Sequence, residues 1–320
     1  MLALGVLLLA GCSGDAGGPA ALCGRMPPVQ VPLAEALGRP LAPARINGVP
    51  VHLLIDTGAG RSSVTAETAA GLGLRQDPGR PHWIRGTGGV LVSQTVMPET
   101  LDLAGRTLRR PPLTVHPLPG TEGAQPAVAG VLGADLMAAY EIEWDLPQRS
   151  MLLHEVQAGC PAPVPDWADA RPLPLPTERR GDFFLLRAMV SGRPVLALLD
   201  SGANGSSMTT ATARRLGVTE AMLAAAPRSE ARGADGQPRM VSHLRFAEVR
   251  IGPEVFRGPV IGVSDLLLPP GVEMLLGLDY MRSRRFFLSH ATGRAWVARP
   301  VGGRAVAISP PDAGRAAPPP

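Results

Sequence analysis

The sequence predicts a strand-rich fold made of two similar lobes with short helices. Three observations predict it. One segment of about thirty residues occurs twice along the chain. Each copy runs as an apolar strand into an acid and a glycine. The 38 Gly and 35 Pro among 320 residues call for many turns between short elements.

The repeat comes first because it sets the architecture. "NGVPVHLLIDTGAGRSSVTAETAAGLGL" (Asn47 to Leu74) aligns without a gap on "SGRPVLALLDSGANGSSMTTATARRLGV" (Ser191 to Val218). Asp56 falls on Asp200, Gly58 on Gly202 and Ser62 on Ser206, an offset of 144 positions. A second, distant pair keeps that offset. "VLGADLM" and "LLGLDYM" place Gly133 on Gly277 and Asp135 on Asp279, again 144 apart. Two separate matches at one offset mark an internal duplication.

The elements of each copy follow from local chemistry. "LAPARI", Asn47-Gly48 and "VPVHLLI" read as two strands joined by a tight hairpin turn. "FFLLRAMV", Ser191-Gly192 and "RPVLALL" repeat that pattern. The runs "HLLI" and "LALL" lack alternation, as expected of strands buried on both faces. Beyond each acid, "TAETAAGLGL" and "TTATARRLGV" read as short helices. Thr65 and Thr209 stand as N-caps, and Gly73 and Gly217 as stops. Asp135 and Asp279 read as structural acids at the start of a short helix, and Ser62, Ser63, Ser206 and Ser207 as loop supports.

Composition bounds the function. Hydrophobic residues make up 45% of the chain, enough for a sizeable core. The net charge is +4 and the arginines are scattered, with no basic stripe interleaved with aromatics, so no nucleic-acid partner is expected. The six His are dispersed, and no Cys-x-x-Cys or His-Glu-x-x-His occurs, so no metal and no cofactor is expected. No Gly-x-Ser-x-Gly elbow is present, which argues against a serine hydrolase.

The two matched acids carry the chemistry. Pseudo-twofold symmetry would bring Asp56 and Asp200 together between the lobes. Two carboxyls in contact share a proton and titrate as a unit. The ionised member can take a proton from a water between them, while the protonated member donates to a carbonyl oxygen. Gly58 and Gly202 would let backbone N–H groups approach the acids. Thr57 and Ser201 offer hydroxyls that can bond across the interface.

These residues resemble the active-site signatures of aspartic proteases. Asp56-Thr57-Gly58-Ala59 and Asp200-Ser201-Gly202-Ala203 match the catalytic loops. Val131-Leu132-Gly133 and Leu275-Leu276-Gly277 match the apolar-apolar-Gly element behind each loop. The resemblance covers roughly Ala44 to Arg299. It implies an all-β fold of two pseudo-twofold-related acid-protease barrel lobes flanking a peptide cleft. Retropepsin-like members take one Asp from each of two chains. This chain resembles a single-chain version, so a monomer is expected. The implied activity is an aspartic endopeptidase acting on polypeptide. The alternative is a non-catalytic peptide-binding envelope lipoprotein that keeps the fold; a third reading is a structural lipoprotein.

Two details refine the resemblance. Ala59 and Ala203 follow the glycines, as is common in retropepsin-like enzymes, whereas pepsin-like enzymes commonly carry Ser or Thr. Losing that hydroxyl should raise the pair's pKa values, giving an optimum less acidic than pepsin's. Family members also cover the cleft with a Gly-rich hairpin flap. "IRGTGGVLV", with Gly86, Thr87, Gly88 and Gly89, is the first-lobe candidate. Gly233 in "ARGADGQPRMV" is its counterpart, at a slipped offset of 147. The pepsin-type flap tyrosine is absent. Trp83 lies nearby and is either a subsite wall or a packed surface residue.

The ends complete the reading. Residues 1–12 ("MLALGVLLLAGC") read as a signal peptide with a lipobox-like end. The pattern resembles a bacterial lipoprotein signal that would place a lipid on Cys12, although the positive residues that usually precede the apolar run are missing. The expected location is the cell envelope on the periplasmic side, anchored to the membrane by that lipid. Cys23 and Cys160 then remain, as a disulfide or as two free thiols. Residues 13–43 read as a Pro-rich tether, 44–155 as the first lobe, 156–178 as a Pro-rich linker, 179–299 as the second lobe and 300–320 as a disordered tail.

Overall fold

The structure, a computed structural model, describes residues 27–87, 89–155, 165–299 and 308. It is an all-β fold of two repeated lobes with a few short helices. Each lobe is built on a ten-stranded sheet, and a six-stranded sheet takes strands from both halves.

The first lobe grows from the predicted hairpin. Arg39–Ile46 pairs antiparallel with Val49–Ile55 through Asn47 and Gly48, both at positive φ (50° and 81°). That geometry is the two-residue turn whose twist suits a hairpin. In the second lobe Phe183–Val190 pairs with Arg193–Leu199 through Ser191 and Gly192, at 46° and 79°. Both inner strands end in fully apolar, buried runs, Leu53-Leu54-Ile55 and Ala197-Leu198-Leu199. Burying each Leu or Ile side chain of these runs contributes about 1.5–3 kcal/mol.

Each acid-bearing strand has the apolar-apolar-Gly strand as its parallel neighbour. Leu54 and Ile55 pair with Val131 and Leu132, and Leu198 and Leu199 with Leu275 and Leu276. The glycines that follow admit no side chain. A Cβ on Gly133 would lie 2.7 Å from the Arg61 carbonyl carbon, and one on Gly277 2.7 Å from that of Gly205. The helices Ala66–Gly71 and Thr210–Arg215 are capped by Thr65 and Thr209, whose hydroxyls accept from Thr68 N and Thr212 N. Gly73 and Gly217 follow at positive φ, 57° and 98°.

Strands and a buried core residue occur within the three segments expected to be tether, linker and tail. The tether expected through residue 43 is folded from Val29 on. Val29–Pro32 pairs with Ser150–Glu155, and Ala34–Ala36 with Arg39–Ile46. The linker expected over 156–178 is folded in its second part, where Arg171–Pro174 pairs with Arg294–Arg299. Within the expected tail, Ile308 is buried in the core, and its carbonyl accepts from Val260 N at 3.1 Å. Proline misled the reading for a physical reason. Val29–Pro32 and Arg171–Pro174 form the two edges of the six-stranded sheet. Proline lacks an N–H for a ladder and is tolerated on edge strands.

Candidate active site

Each acid sits just past the end of its buried strand. The backbone N–H of Asp56 donates to Leu132 O at 3.1 Å, and that of Asp200 to Leu276 O at 2.9 Å. The turn then folds back on the carboxylate. Asp56 Oδ1 accepts from Gly58 N (2.8 Å) and Ala59 N (2.9 Å). Asp200 Oδ1 accepts from Gly202 N (2.9 Å) and Ala203 N (3.2 Å).

The two carboxyls meet at the lobe boundary and share a hydrogen bond. The glycines leave space for that meeting. A Cβ on Gly58 would lie 2.6 Å from Asp200 Cγ, and one on Gly202 2.2 Å from Asp56 Oδ2. Asp200 is buried and Asp56 half-buried. Burial first of all raises both pKa values above the usual carboxylate range. Asp200 is raised further, because the charge and hydrogen bond of Asp56 add to its burial. Asp56 is pulled back by the N–H of Gly58, by its bond to Asp200 and by the positive charge of Arg39. Burial and mutual proximity therefore favour one proton shared by the pair over two ionised carboxylates.

Thr57 and Ser201 lock the two loops together. The Thr57 hydroxyl donates to Leu199 O at 2.7 Å, and the Ser201 hydroxyl to Ile55 O at 2.8 Å. Each hydroxyl also accepts the other residue's backbone N–H at 3.0 Å. All four groups are buried, so the polar atoms of both loops depend on this exchange.

A second matched network supports each loop from behind. Ser62 donates to Asp135 Oδ1 at 2.7 Å and accepts from Gly133 N at 2.9 Å. Ser206 does the same with Asp279 Oδ1 (2.6 Å) and Gly277 N (3.1 Å). Ala134 N and Leu278 N donate to Ala59 O and Ala203 O, both at 2.8 Å.

The two Gly-rich hairpins meet at their tips. Gln76–Arg85 pairs with Val90–Val96, and Gly86 N donates to Gly89 O at 2.8 Å. Arg228–Arg232 pairs with Pro238–Arg245, and Gly236 N donates to Gly233 O at 2.9 Å. The two glycine pairs keep the slipped offset of 147 positions, but the bond runs in the opposite direction in the second hairpin. A Cβ on Gly86 would lie 2.5 Å from Asp235 Oδ2, and one on Gly233 2.2 Å from Thr87 Oγ1. The carbonyl of Thr87 accepts from Leu267 N at 2.6 Å, tying the first tip to the second lobe. Trp83 is 76% exposed on its hairpin. Gly88, Cys12, Cys23 and Cys160 lie outside the described residues.

Two residues near Asp56 escaped the sequence reading. Arg39 is half-buried, donates to Gly120 O at 3.2 Å and is within electrostatic reach of Asp56. His116 is buried, and burial lowers its pKa, which keeps the ring neutral near pH 7. The signal for Arg39 was in the repeat itself. Its matched position, 144 residues on, is Phe183.

Comparison with known proteins agrees with the geometry. A family model described as "Aspartyl protease" matches residues 42–136 and again residues 186–280. The chain belongs to the aspartyl protease family. The two matches each take in one acid loop and its apolar-apolar-Gly element. The family member is also 34% identical over 93 residues to DNA damage-inducible protein 1 of Eremothecium gossypii. That match covers 29% of this chain and 18% of the relative. Among solved structures, the aspartic proteinase from Irpex lacteus superposes with a TM-score of 0.50. The match spans 88% of this aspartyl protease chain and 99% of the other, at 11% identity, a likeness of fold. Among the described residues of this family member, no His, Cys, Asp and Glu cluster could hold a metal ion, and no helix is long and apolar enough to cross a membrane.

Proposed function

We propose that this protein is an aspartic endopeptidase that hydrolyses peptide bonds with a water activated between Asp56 and Asp200. The observation that carries the reading is the hydrogen-bonded contact of the two carboxyls, each seated on its own pair of backbone N–H groups. A non-catalytic binder gains nothing from holding two acids in contact, because burial and mutual repulsion oppose their charges.

The chemistry follows from the single proton that the pair shares. Ionised Asp56 takes a proton from the water. Protonated Asp200 donates to the carbonyl oxygen of the substrate. The oxygen of the water bonds to the carbonyl carbon, and the tetrahedral species forms with no covalent bond to the enzyme. Collapse breaks the C–N bond as the amine receives a proton from the acid pair. Proton transfer of this kind supplies about 10²–10⁴-fold of rate. The paired hairpins would exclude water from the peptide and hold it extended across the acids. One chain supplies both acids, so the proposed enzyme works as a monomer. Its proposed setting is the cell envelope, held there through Cys12.

Incubation with a mixture of peptides from about pH 3 to 8 tests the reading. The expected result is internal cleavage with no burst of product in the first turnover. Peptide binding without cleavage at any pH in that window would overturn it.

A further inference from the structure

The clefts on the two sides of the acids are built alike and end differently. Under the first acid loop, Leu41, Leu54 and Val131 pack together; under the second, Leu185, Leu198 and Leu275 do. These are matched positions of the repeat. Arg39 and Phe183 are matched too, each opening its strand two residues before that leucine. Phe183 reaches across the lobe boundary. A Cβ on Gly60, in the first acid loop, would lie 3.0 Å from its ring. Phe183 also joins an apolar wall with Leu268 and Val272.

Arg39 stands where that wall has a ring. Its guanidinium donates to Gly120 O at 3.2 Å. The neighbouring Pro119 lies 3.7 Å from the Cβ position of Gly236, on the second-lobe hairpin tip. Arg39 is therefore placed near Asp56, the loop around Gly120 and the tip of the second-lobe hairpin. Among the described residues it makes no ion pair at contact distance. The residue matched to Gly60 in the second lobe is Asn204, which is neutral. A half-buried guanidinium with one neutral acceptor keeps most of its donors for a ligand. Asp56 cannot be its permanent partner, since that carboxylate is engaged with Gly58, Ala59 and Asp200.

We propose that the cleft is polarised. Arg39 receives a carboxylate side chain of the bound peptide on one side of the scissile bond, and Phe183 receives an apolar side chain on the other. The inference rests on the endopeptidase reading and names its substrate class: peptides with an acidic and an apolar residue flanking the cut. The pseudo-symmetric site would then bind such a peptide in one direction.

Two assays separate this inference from the reading beneath it. The first profiles cleavage of a peptide library by the wild type, Arg39→Gln, Arg39→Lys and Phe183→Ala. The wild type is expected to favour Asp or Glu over Gln or Asn at one flanking position by about tenfold or more, the scale of a hydrogen bond to a charged group. Arg39→Gln abolishes that preference and keeps the apolar one, Arg39→Lys restores part of it, and Phe183→Ala does the reverse. The second measures binding of matched Glu and Gln peptides to the Asp200→Asn chain by fluorescence anisotropy. There the Glu peptide binds more tightly at low salt, and Arg39→Gln removes the difference. No acidic preference in either assay, or an equal loss for all peptides in Arg39→Gln, would overturn the proposal. Acid-selective binding with no cleavage by the wild type would overturn the endopeptidase reading and leave the role of Arg39 standing.

Discussion

Thr57 and Ser201 exchange roles across the lobe boundary: each hydroxyl accepts the other's backbone N–H at 3.0 Å and donates to a carbonyl of the opposite strand. The exchange joins two loops 144 residues apart through four buried bonds. It makes the position of each acid depend on the other lobe.

Thr57→Val keeps the shape and removes one hydroxyl. It leaves Ser201 N and Leu199 O without partners, at a cost of about 1–3 kcal/mol for a buried unsatisfied group. Thr57→Ser keeps the bonds and should cost little. Thermal unfolding of both variants and of Ser201→Ala measures this. The two hydroxyls bond to separate partners, so the double variant Thr57→Val/Ser201→Ala should lose about the sum of the singles, and any departure from that sum measures the coupling of the two loops.

Gly58→Ala and Gly202→Ala should abolish hydrolysis while the chain still folds. The added methyl would sit 2.6 Å from Asp200 Cγ in one case and 2.2 Å from Asp56 Oδ2 in the other. The carboxyls must part, and a pair that no longer shares a proton loses its acid and base. Circular dichroism together with kcat on a peptide substrate checks both halves of the expectation.

Asp200→Asn should stabilise the protein near neutral pH. Burial first, and the charge of Asp56 second, raise the folded-state pKa of Asp200. In the unfolded chain the carboxyl ionises near its usual value of about 3.9. Above that pH the folded state binds more protons than the unfolded state, so stability falls as pH rises until the folded group also ionises. Asparagine carries no such penalty. The variant's Tm should exceed the wild type's by a few degrees near pH 7, and the gap should close below about pH 4. An equal gap at both pH values would contradict the assignment.

The same raised values govern activity. Ala59 and Ala203 offer no hydroxyl to the acids, whose carboxylates rest on backbone N–H groups alone beyond their mutual bond. The pH–rate profile should be bell-shaped, with its maximum well above that of an enzyme poised near pH 2. Ala203→Ser should move the acid limb to lower pH.

How much of this was legible in the sequence varies from place to place. The duplication carried the acid loops, because strand, acid, glycine and the later apolar-apolar-Gly element each leave a short local pattern. Asn47-Gly48 and Ser191-Gly192 announced their turns through residues that tolerate positive φ. The six-stranded sheet was not legible. Three of its five pairings join strands remote in sequence, such as Ile142 with Leu288, and its edges are proline-bearing segments that read as a tether and a linker. Arg39 stayed hidden because a charged residue at a strand start looks like ordinary surface. Only the fold shows that its matched partner, Phe183, lies against the opposite acid loop.

The most direct test of the central claim is the rate of peptide hydrolysis by Asp56→Asn and Asp200→Asn, each measured at the wild-type pH optimum. The account predicts that both variants fold, bind peptide and lose at least about 10²-fold in kcat, since either substitution removes the shared proton pair. Hydrolysis at the wild-type rate by either variant would contradict it.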